Sequence, residues 1–438
     1  MGLIRARRSV EILFPKPSWS RRAAALVCLA LSAALGLQAA AKEHTPRKNA
    51  RGKAAATAAA ATAAAQAALT ADGQAEARLM EAFKLAGQGR TREALQRTEE
   101  LLRDYPNFQL AHLVRGDLLS ARTRAMRGLD ELAVGAAAQN LAELREESLL
   151  RLRAMRERPP AGHVPTQFAQ LSTRNKHAIA VDIARARLYL FENGPAGLRL
   201  IADYYVSVGK FGAGKSVEGD MRTPLGVYHV TSQISPKKLQ DFYGAGALPI
   251  NYPNPYDLRH GKTGSGIWLH GTPSTQFARA PRASDGCLVL ANPDLERIMR
   301  TVQARTTPVV IAPSLSWVSL QSPPALEVKL FTEALSAWRE AKSRGDLQRL
   351  LSFYTTDLSV DGKGSVDWRP TLAADFDSAR GREIELKDLS FLRWTDSADT
   401  MVVTFGEVAR GAHTGPIRRQ YWMRSGRQWK IFFEGVIG

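Results

Sequence analysis

Cysteine is almost absent, with Cys28 and Cys287 the only two in 438 residues. Cys28 lies in an apolar run, Ala23 to Leu37, that follows Arg5, Arg7, Arg8, Lys16, Arg21 and Arg22 and precedes Ala39-Ala40-Ala41. A basic start, an apolar stretch and small residues read as a secretory signal. Cleavage near Ala41 would leave Cys287 alone, which excludes an internal disulfide. A solitary thiol in an oxidising compartment argues for a nucleophile over a leftover buried cysteine. The run falls short of the ~20 residues of a comfortable membrane span. An uncleaved anchor with its basic end in the cytoplasm is the alternative, although Lys42, Arg47, Lys48, Arg51 and Lys53 blur the charge asymmetry. Either way the remaining chain is expected to be exported, to the periplasm or cell envelope, touching membrane only if that segment is uncleaved.

Metal-binding patterns are also missing. The eight histidines are scattered, no H-E-x-x-H occurs, and one mature cysteine cannot build a thiolate site. No Walker or Rossmann glycine pattern appears, so no metal and no cofactor is expected. Acidic residues are the minority, 42 against 60 basic, for a net charge of +18. Such an excess attracts polyanions. Nucleic acid is not the expected one, because the chain is exported and no basic stretch is interleaved with aromatics. Cell-wall carboxylates are better placed, with a diffuse solubilising charge as the simpler alternative.

At 438 residues the chain exceeds what one core usually serves, and about 150 residues per domain suggests three units. Residues 42–73 are alanine-rich and poor in large apolar side chains, the composition of a disordered tether. From 74 to 158 the pattern is helical: Leu79, Phe83 and Ala86 share a face, Gly87-Gln88-Gly89 makes a turn, and Pro106 stops the next helix. This stretch resembles a tetratricopeptide-type hairpin, fitted to dock a protein partner or a second copy, or to form a lid on the next domain. After Pro159-Pro160, "HAIAVDIARARLYLFENG" alternates towards a turn at Asn193-Gly194, a hairpin signal. Strand-like runs recur at 198–208, 226–231, 266–270, 287–290 and 308–311. Between the last two, Asn292 is expected to cap a helix with Pro293 at its first position. A linker then leads to an amphipathic helix bearing Leu326, Leu330, Ala334 and Trp338, followed by antiparallel strands. The expectation is a multidomain α+β chain: a helical N-terminal region, a mostly β unit over 176–313, and a helix laid on a curved sheet over 325–438.

The chemistry concentrates in "GIWLHGTPSTQFARAPRASDGCLVL", where His270 ends one strand and Cys287 begins another. An imidazole can take the thiol proton and later hand it to a leaving amine, while backbone N–H groups hold the oxyanion. Gly286 permits close backbone approach, and Ser284 and Asp285 shape the turn. Together with "GDMRTPLGVYHV" at 219–230, "YGAGALPINYPNPYD" at 243–257, "GIWLHG" at 266–271 and "SDGCLVL" at 284–290, this segment resembles the L,D-transpeptidase catalytic (YkuD-type) family. The resemblance implies a β-sandwich-like fold acting on peptidoglycan stem peptides. The nucleophile falls on Cys287, the base on His270, and the carbonyl that orients the imidazole on Gly271. It further implies expulsion of D-alanine and a thioester, with the acceptor left open: an amine gives a crosslink, water gives carboxypeptidase trimming, and hydrolysis of a protein-to-wall link is a third outcome. A non-catalytic wall-binding scaffold is the rival from another class.

Many members of that family carry an arginine two residues after the cysteine, where this chain has Val289. Arg279 or Arg282 is expected to replace it. Tyr243, Asn251, Tyr252 and Asn254 lie in a long loop that is a candidate to line the cleft. The 219–230 motif reads most simply as a turn feeding a strand, and Trp268 as core filling. The C-terminal unit resembles SnoaL-like cone domains, in which Trp368, Trp394, Tyr421 and Trp429 either bind wall fragments or fill core.

Overall fold

The computed structural model describes residues 73–121, 136–360, 376, 382–395 and 399–437. The expected signal or anchor, the tether up to residue 72, and Trp368 lie outside these residues. No helix among the described residues is long and apolar enough to cross a membrane.

The N-terminal region is helical. Helices α1 (Gln74–Gly87), α2 (Thr91–Asp104) and α3 (Gln109–Ser120) pack in sequence, and α4 (Ala136–Arg156) follows. Gly89 adopts φ +75° in the α1–α2 turn, a conformation suited to glycine. The apolar stripe of Leu79, Ala94, Leu95, Leu101 and Val114 closes over Phe277 and Ala291 of the next domain. Phe277 stacks 4.0 Å from Phe108 and meets Tyr105 edge-on at 5.3 Å. One face of the helical region is therefore a wall on its neighbour.

Charges fix that docking. Arg187 reaches Glu76 at 2.8 and 2.9 Å and Asp203 at 2.6 Å, while Arg151 bonds Glu147 at 2.9 Å and Glu76 at 3.0 Å. Burial alone would push the Glu76 carboxyl up, but the Arg187 and Arg151 guanidiniums outweigh it and hold it below the usual range. Glu147 is raised by burial despite Arg151. Burial, with Glu76 beside it, pushes Asp294 up to about 7.

The central domain is a two-sheet sandwich. Strands β1 (His163–Pro165) and β2 (Phe168–Gln170) precede it. Its main sheet has the order β5-β4-β3-β12-β7, from β3 (His177–Asp182), β4 (Arg187–Gly194), β5 (Gly197–Tyr205), β7 (Gly226–His229) and β12 (Pro308–Ala312). The short β6 (Val208–Gly209) pairs with β10 (Arg282–Ser284). The second sheet is β11-β9-β8, from β8 (Ala247–Pro249), β9 (Trp268–His270) and β11 (Leu288–Val289). Helix α5 (Pro255–Arg259) lies between β8 and β9, and α6 (Asn292–Thr301) follows β11. Ile179, Val181, Leu188 and Tyr204 of the first sheet meet Leu248, Leu269 and Leu288 of the second and Leu295 and Ile298 of α6.

The outer face of the main sheet is also buried. Ala178, Ala180, Tyr189, Phe191 and Val310 pack on Leu392, Trp394, Val402, Tyr421 and Phe432 of the C-terminal sheet. Covered on both faces, β3 and β4 carry near-continuous burial in place of the half-polar alternation expected of a one-sided hairpin. The second hairpin turns at Pro195-Ala196, two residues past the expected Asn193-Gly194, with Gly194 paired to Gly197. Asn193 instead donates its amide to the Ser172 carbonyl at 2.8 Å.

Strand β13 (Trp317–Ser319) pairs with β1 and leads to helices α7 (Leu326–Arg344) and α8 (Leu347–Leu351). The C-terminal sheet runs β14-β18-β17-β16-β15-β2, from β14 (Tyr354–Val360), β15 (Ile384–Thr395), β16 (Asp399–Ala409), β17 (Ile417–Ser425) and β18 (Gln428–Val436). Phe331, Leu335 and Trp338 of α7 pack on Phe391, Met401, Phe405, Trp422 and Trp429. Trp394, Tyr421 and Trp429 thus fill cores, the first two against the central domain and the third against the helix.

Candidate active site

Strand register brings the cysteine and the histidine together. In the parallel pair β9–β11, Leu288 sits opposite Leu269 and Val289 opposite His270. Continuing that register puts Cys287 beside Trp268, with His270 two residues further along the neighbouring strand. Side chains alternate along a strand, so all three project to one face, with the Cys287 and His270 Cα atoms separated by about 8 Å along the diagonal. The thiol itself donates to the Gly266 carbonyl at 3.4 Å.

The imidazole is held from behind. His270 Nδ1 donates to the Gly271 carbonyl at 2.7 Å, which leaves Nε2 for the cleft. A Cβ on Gly271 would lie 2.0 Å from Asn292 Oδ1 and 2.9 Å from Ala245 N, so any side chain there would displace Asn292 from its bonds. Asn292 does not cap its helix, contrary to expectation. Its Oδ1 accepts from Ala245 N at 2.9 Å and Thr272 N at 3.1 Å, and its amide donates to Thr272 O. The residue ties the strand end that bears His270 to the 243–246 loop.

The cysteine turn is locked by two hydroxyls. Ser284 Oγ donates to the Cys287 carbonyl at 2.6 Å and accepts from Gly286 N at 3.2 Å. Thr223 Oγ1 donates to the Gly286 carbonyl at 3.0 Å and accepts from Gly209 N at 2.8 Å. Gly286 has φ +124°, and a Cβ would meet the Arg222 carbonyl at 2.7 Å, so both conformation and space require glycine. Asp220 orders the preceding loop by accepting from Ser216 N, Val217 N and Arg222 N and from Lys215 Nζ. The 219–230 motif is therefore a buttress of the cysteine turn and more than a plain turn. Thr223 carries no reactive group, and only its place in that motif marked it.

Electrostatics leaves both groups neutral at rest. Burial lowers His270 to about 4, with Arg279 adding to the effect and the bond to Gly271 opposing it. Burial raises the Cys287 thiol, and the charge of exposed Asp285 raises it further; a backbone N–H from Trp268 and the charges of Arg279 and Lys215 pull the other way. Cys287 is half-buried and His270 is 1% exposed, so the sulfur is the more open of the two.

Tyr243 reaches the site, its ring 5.2 Å from His270 and 5.0 Å from Trp268. Trp268 is half-buried in this wall and is not core filling. Arg279 stacks 4.4 Å over Phe242, whose ring lies 5.8 Å from His270. Arg282 turns away to Glu146 of α4, at 2.8 Å. Tyr252 and Asn254 are buried, Asn254 with its side chain on the Val227 carbonyl and the Asp257 N–H, and do not line the cleft, while Asn251 is half-buried. Asn251 accepts from His229 N at 2.6 Å, and Tyr252 is 5% exposed in the sandwich core with its hydroxyl bonded to the Thr263 carbonyl. Sequence reasoning missed Phe242. A groove of about 620 Å³ runs from Phe242 and Arg279 to Glu143 and Glu147 of α4, so the helical region supplies one of its walls. No cluster of three or more metal-ligating side chains occurs among the described residues.

This sandwich, with a cysteine turn facing a histidine strand, defines a class. Residues 176–311 match the model of the L,D-transpeptidase catalytic domain, whose family acts on peptidoglycan, and residues 330–435 match the Cds6 C-terminal NTF2-like domain. The chain thus carries an L,D-transpeptidase catalytic domain followed by an NTF2-like domain. Among solved structures, Bd1075 of Bdellovibrio bacteriovorus shares 24% identity over 63% of this chain and 98% of its own, with a TM-score of 0.52. The helical cell shape determining protein Pgp2 of Campylobacter jejuni shares 22% identity over 59% of this chain and 91% of its own, with a TM-score of 0.47. The first likeness is one of fold. No curated protein matches this chain.

Proposed function

We propose that this chain is an exported L,D-transpeptidase that forms a thioester on Cys287 with stem peptides of peptidoglycan, using His270 as acid and base. The observation that carries this reading is the β9–β11 register, which, continued one residue, brings Cys287 to the face that bears His270, with His270 Nδ1 committed to Gly271. Because the imidazole is neutral down to about pH 4 and burial raises the thiol, the proton leaves sulfur as it attacks. Nε2 receives that proton and delivers it to the departing amine of D-alanine as the C–N bond breaks. An acceptor amine then attacks the thioester, loses its proton to His270, and the sulfur departs. Gly286 N–H is already taken by Ser284, so the Cys287 N–H is the oxyanion donor we assign. Arg279, within reach of both reacting groups, takes the place of the arginine missing at Val289.

Transpeptidation leads because the groove beside Phe242 and Arg279 has room for a second peptide. Water as acceptor would give carboxypeptidase trimming by the same thioester. Purified protein incubated with tetrapeptide-bearing muropeptides separates the two: crosslinked dimers are expected, tripeptides alone would assign trimming, and no product from wild type would end the enzymatic reading.

A further inference from the structure

The boundary between the catalytic and NTF2-like domains holds a buried cation that no carboxylate answers. Arg419, on β17, is 8% exposed. Its Nε donates to Thr404 Oγ1 at 3.1 Å, and it forms no ion pair among the described residues. Burial lowers its affinity for its proton, with only Tyr421 opposing. Within electrostatic reach of it, the His229 imidazole is buried with no partner for Nδ1 and is kept neutral by burial and by Arg419. Retaining a guanidinium in such a place is costly unless something compensates it.

What adjoins Arg419 is a cavity of about 250 Å³, walled by Asn175 and Thr306 on the catalytic side and by Ser390, Thr404 and Arg419 on the other. Its other charged lining residues are Arg174, Arg305 and Asp388. Asp388 lies 3.5 Å from Arg174, and both are solvent-exposed, so the charge seen from inside is positive. The neutral walls are already satisfied among themselves: Ser390 Oγ bonds Asn175 Oδ1 at 2.5 Å and Asn175 Nδ2 bonds the Thr306 carbonyl at 2.6 Å. The guanidinium is the group left to bind. The volume is below the ~300–1,000 Å³ of sites for drug-sized ligands, so the occupant is small.

We propose that this interdomain cavity is a binding site for a small carboxylate, held bidentately by the Arg419 fork. A planar two-oxygen anion matches a planar guanidinium, and the pairing supplies the counter-charge that the fold omits. Both a free amino acid and the terminal carboxylate of a short peptide present that chemistry. The proposal does not depend on Cys287 being the nucleophile.

Isothermal titration of the full-length protein with D-alanine, an N-acetylated alanyl dipeptide and inorganic phosphate, at matched ionic strength, tests it. Saturable binding of at least one carboxylate is expected, about tenfold or more weaker in Arg419→Lys and undetectable in Arg419→Met. Which carboxylate binds distinguishes the free acid from the peptide end. The ligand-free melting temperature of Arg419→Met should equal or exceed that of wild type, because an unpaired buried charge has been removed. Absence of carboxylate binding to wild type, binding of phosphate alone, or equal affinity in Arg419→Met would overturn the assignment. A lowered melting temperature in Arg419→Met without any carboxylate response in wild type would make Arg419 a purely structural strut.

Discussion

Replacing Thr223 by valine isolates the support of the cysteine turn from its chemistry. The side chain is fully buried, and valine keeps its shape, so packing is preserved while one hydroxyl disappears. That hydroxyl serves two buried backbone groups, the Gly286 carbonyl at 3.0 Å and the Gly209 N–H at 2.8 Å. Each group left unsatisfied costs about 1–3 kcal/mol, so the pair costs about 2–6 kcal/mol. The loss is local, because both bonds hold the backbone on either side of the cysteine turn. Hydrogen–deuterium exchange over 284–290 should speed up in Thr223→Val, and acylation of Cys287 should slow by roughly 10- to 100-fold, about 1.4–2.8 kcal/mol of barrier. Thr223→Ser, which restores both bonds, should recover most of each. Unchanged exchange and unchanged acylation in Thr223→Val would refute the claim that this hydroxyl holds the turn.

The acid limb of kcat/KM should fall near pH 4, well below the 6.5 of an ordinary histidine, because burial depresses His270; a limb near 6.5 would mean the imidazole is solvated. The same depression makes the folded state bind that proton less well than the unfolded chain, so His270 contributes stability that is lost as pH falls from about 6.5 to 4. Asp294 acts in the opposite sense. Its folded value of about 7 exceeds the unfolded 3.8, so the stability it contributes is present at acid pH and lost as pH rises through about 7. Asp294→Asn should flatten the pH dependence of α1 docking, read by exchange over 74–87, and an unchanged profile would contradict it. Arg279→Ala should reduce kcat/KM by about tenfold or more, whereas Arg282→Ala should leave it nearly unchanged, since Arg282 faces Glu146; intact kinetics in the double variant would remove arginine from the site.

The proposed cysteine–histidine pair was legible because its context is written contiguously: a strand ending in His270, then a serine and a glycine ahead of Cys287. Helices were legible from their apolar stripes. What escaped sequence reasoning depends on contacts between distant segments. Arg187 and Glu76 are 111 residues apart, and nothing local announces that they meet. Asn292 has the spacing of a cap, but tertiary partners in the 243–272 region claimed its side chain first. Tyr252 and Asn251 sit in a loop rich in polar and aromatic residues, the usual mark of a binding surface. Their polar atoms are instead used internally, Asn251 on the His229 N–H of the main sheet and the Tyr252 hydroxyl on the Thr263 carbonyl of the following loop. The near-continuous burial of β3 and β4 required knowing that a second sheet covers their outer face.

Intact-mass and peptide-level mass spectrometry of the protein quenched in acid during turnover of a tetrapeptide substrate addresses the pairing of sulfur and imidazole directly. The account predicts an acyl adduct on Cys287 lacking the mass of D-alanine, absent in Cys287→Ala and formed far more slowly in His270→Ala. An adduct on another residue, or turnover that survives in Cys287→Ala, would contradict it.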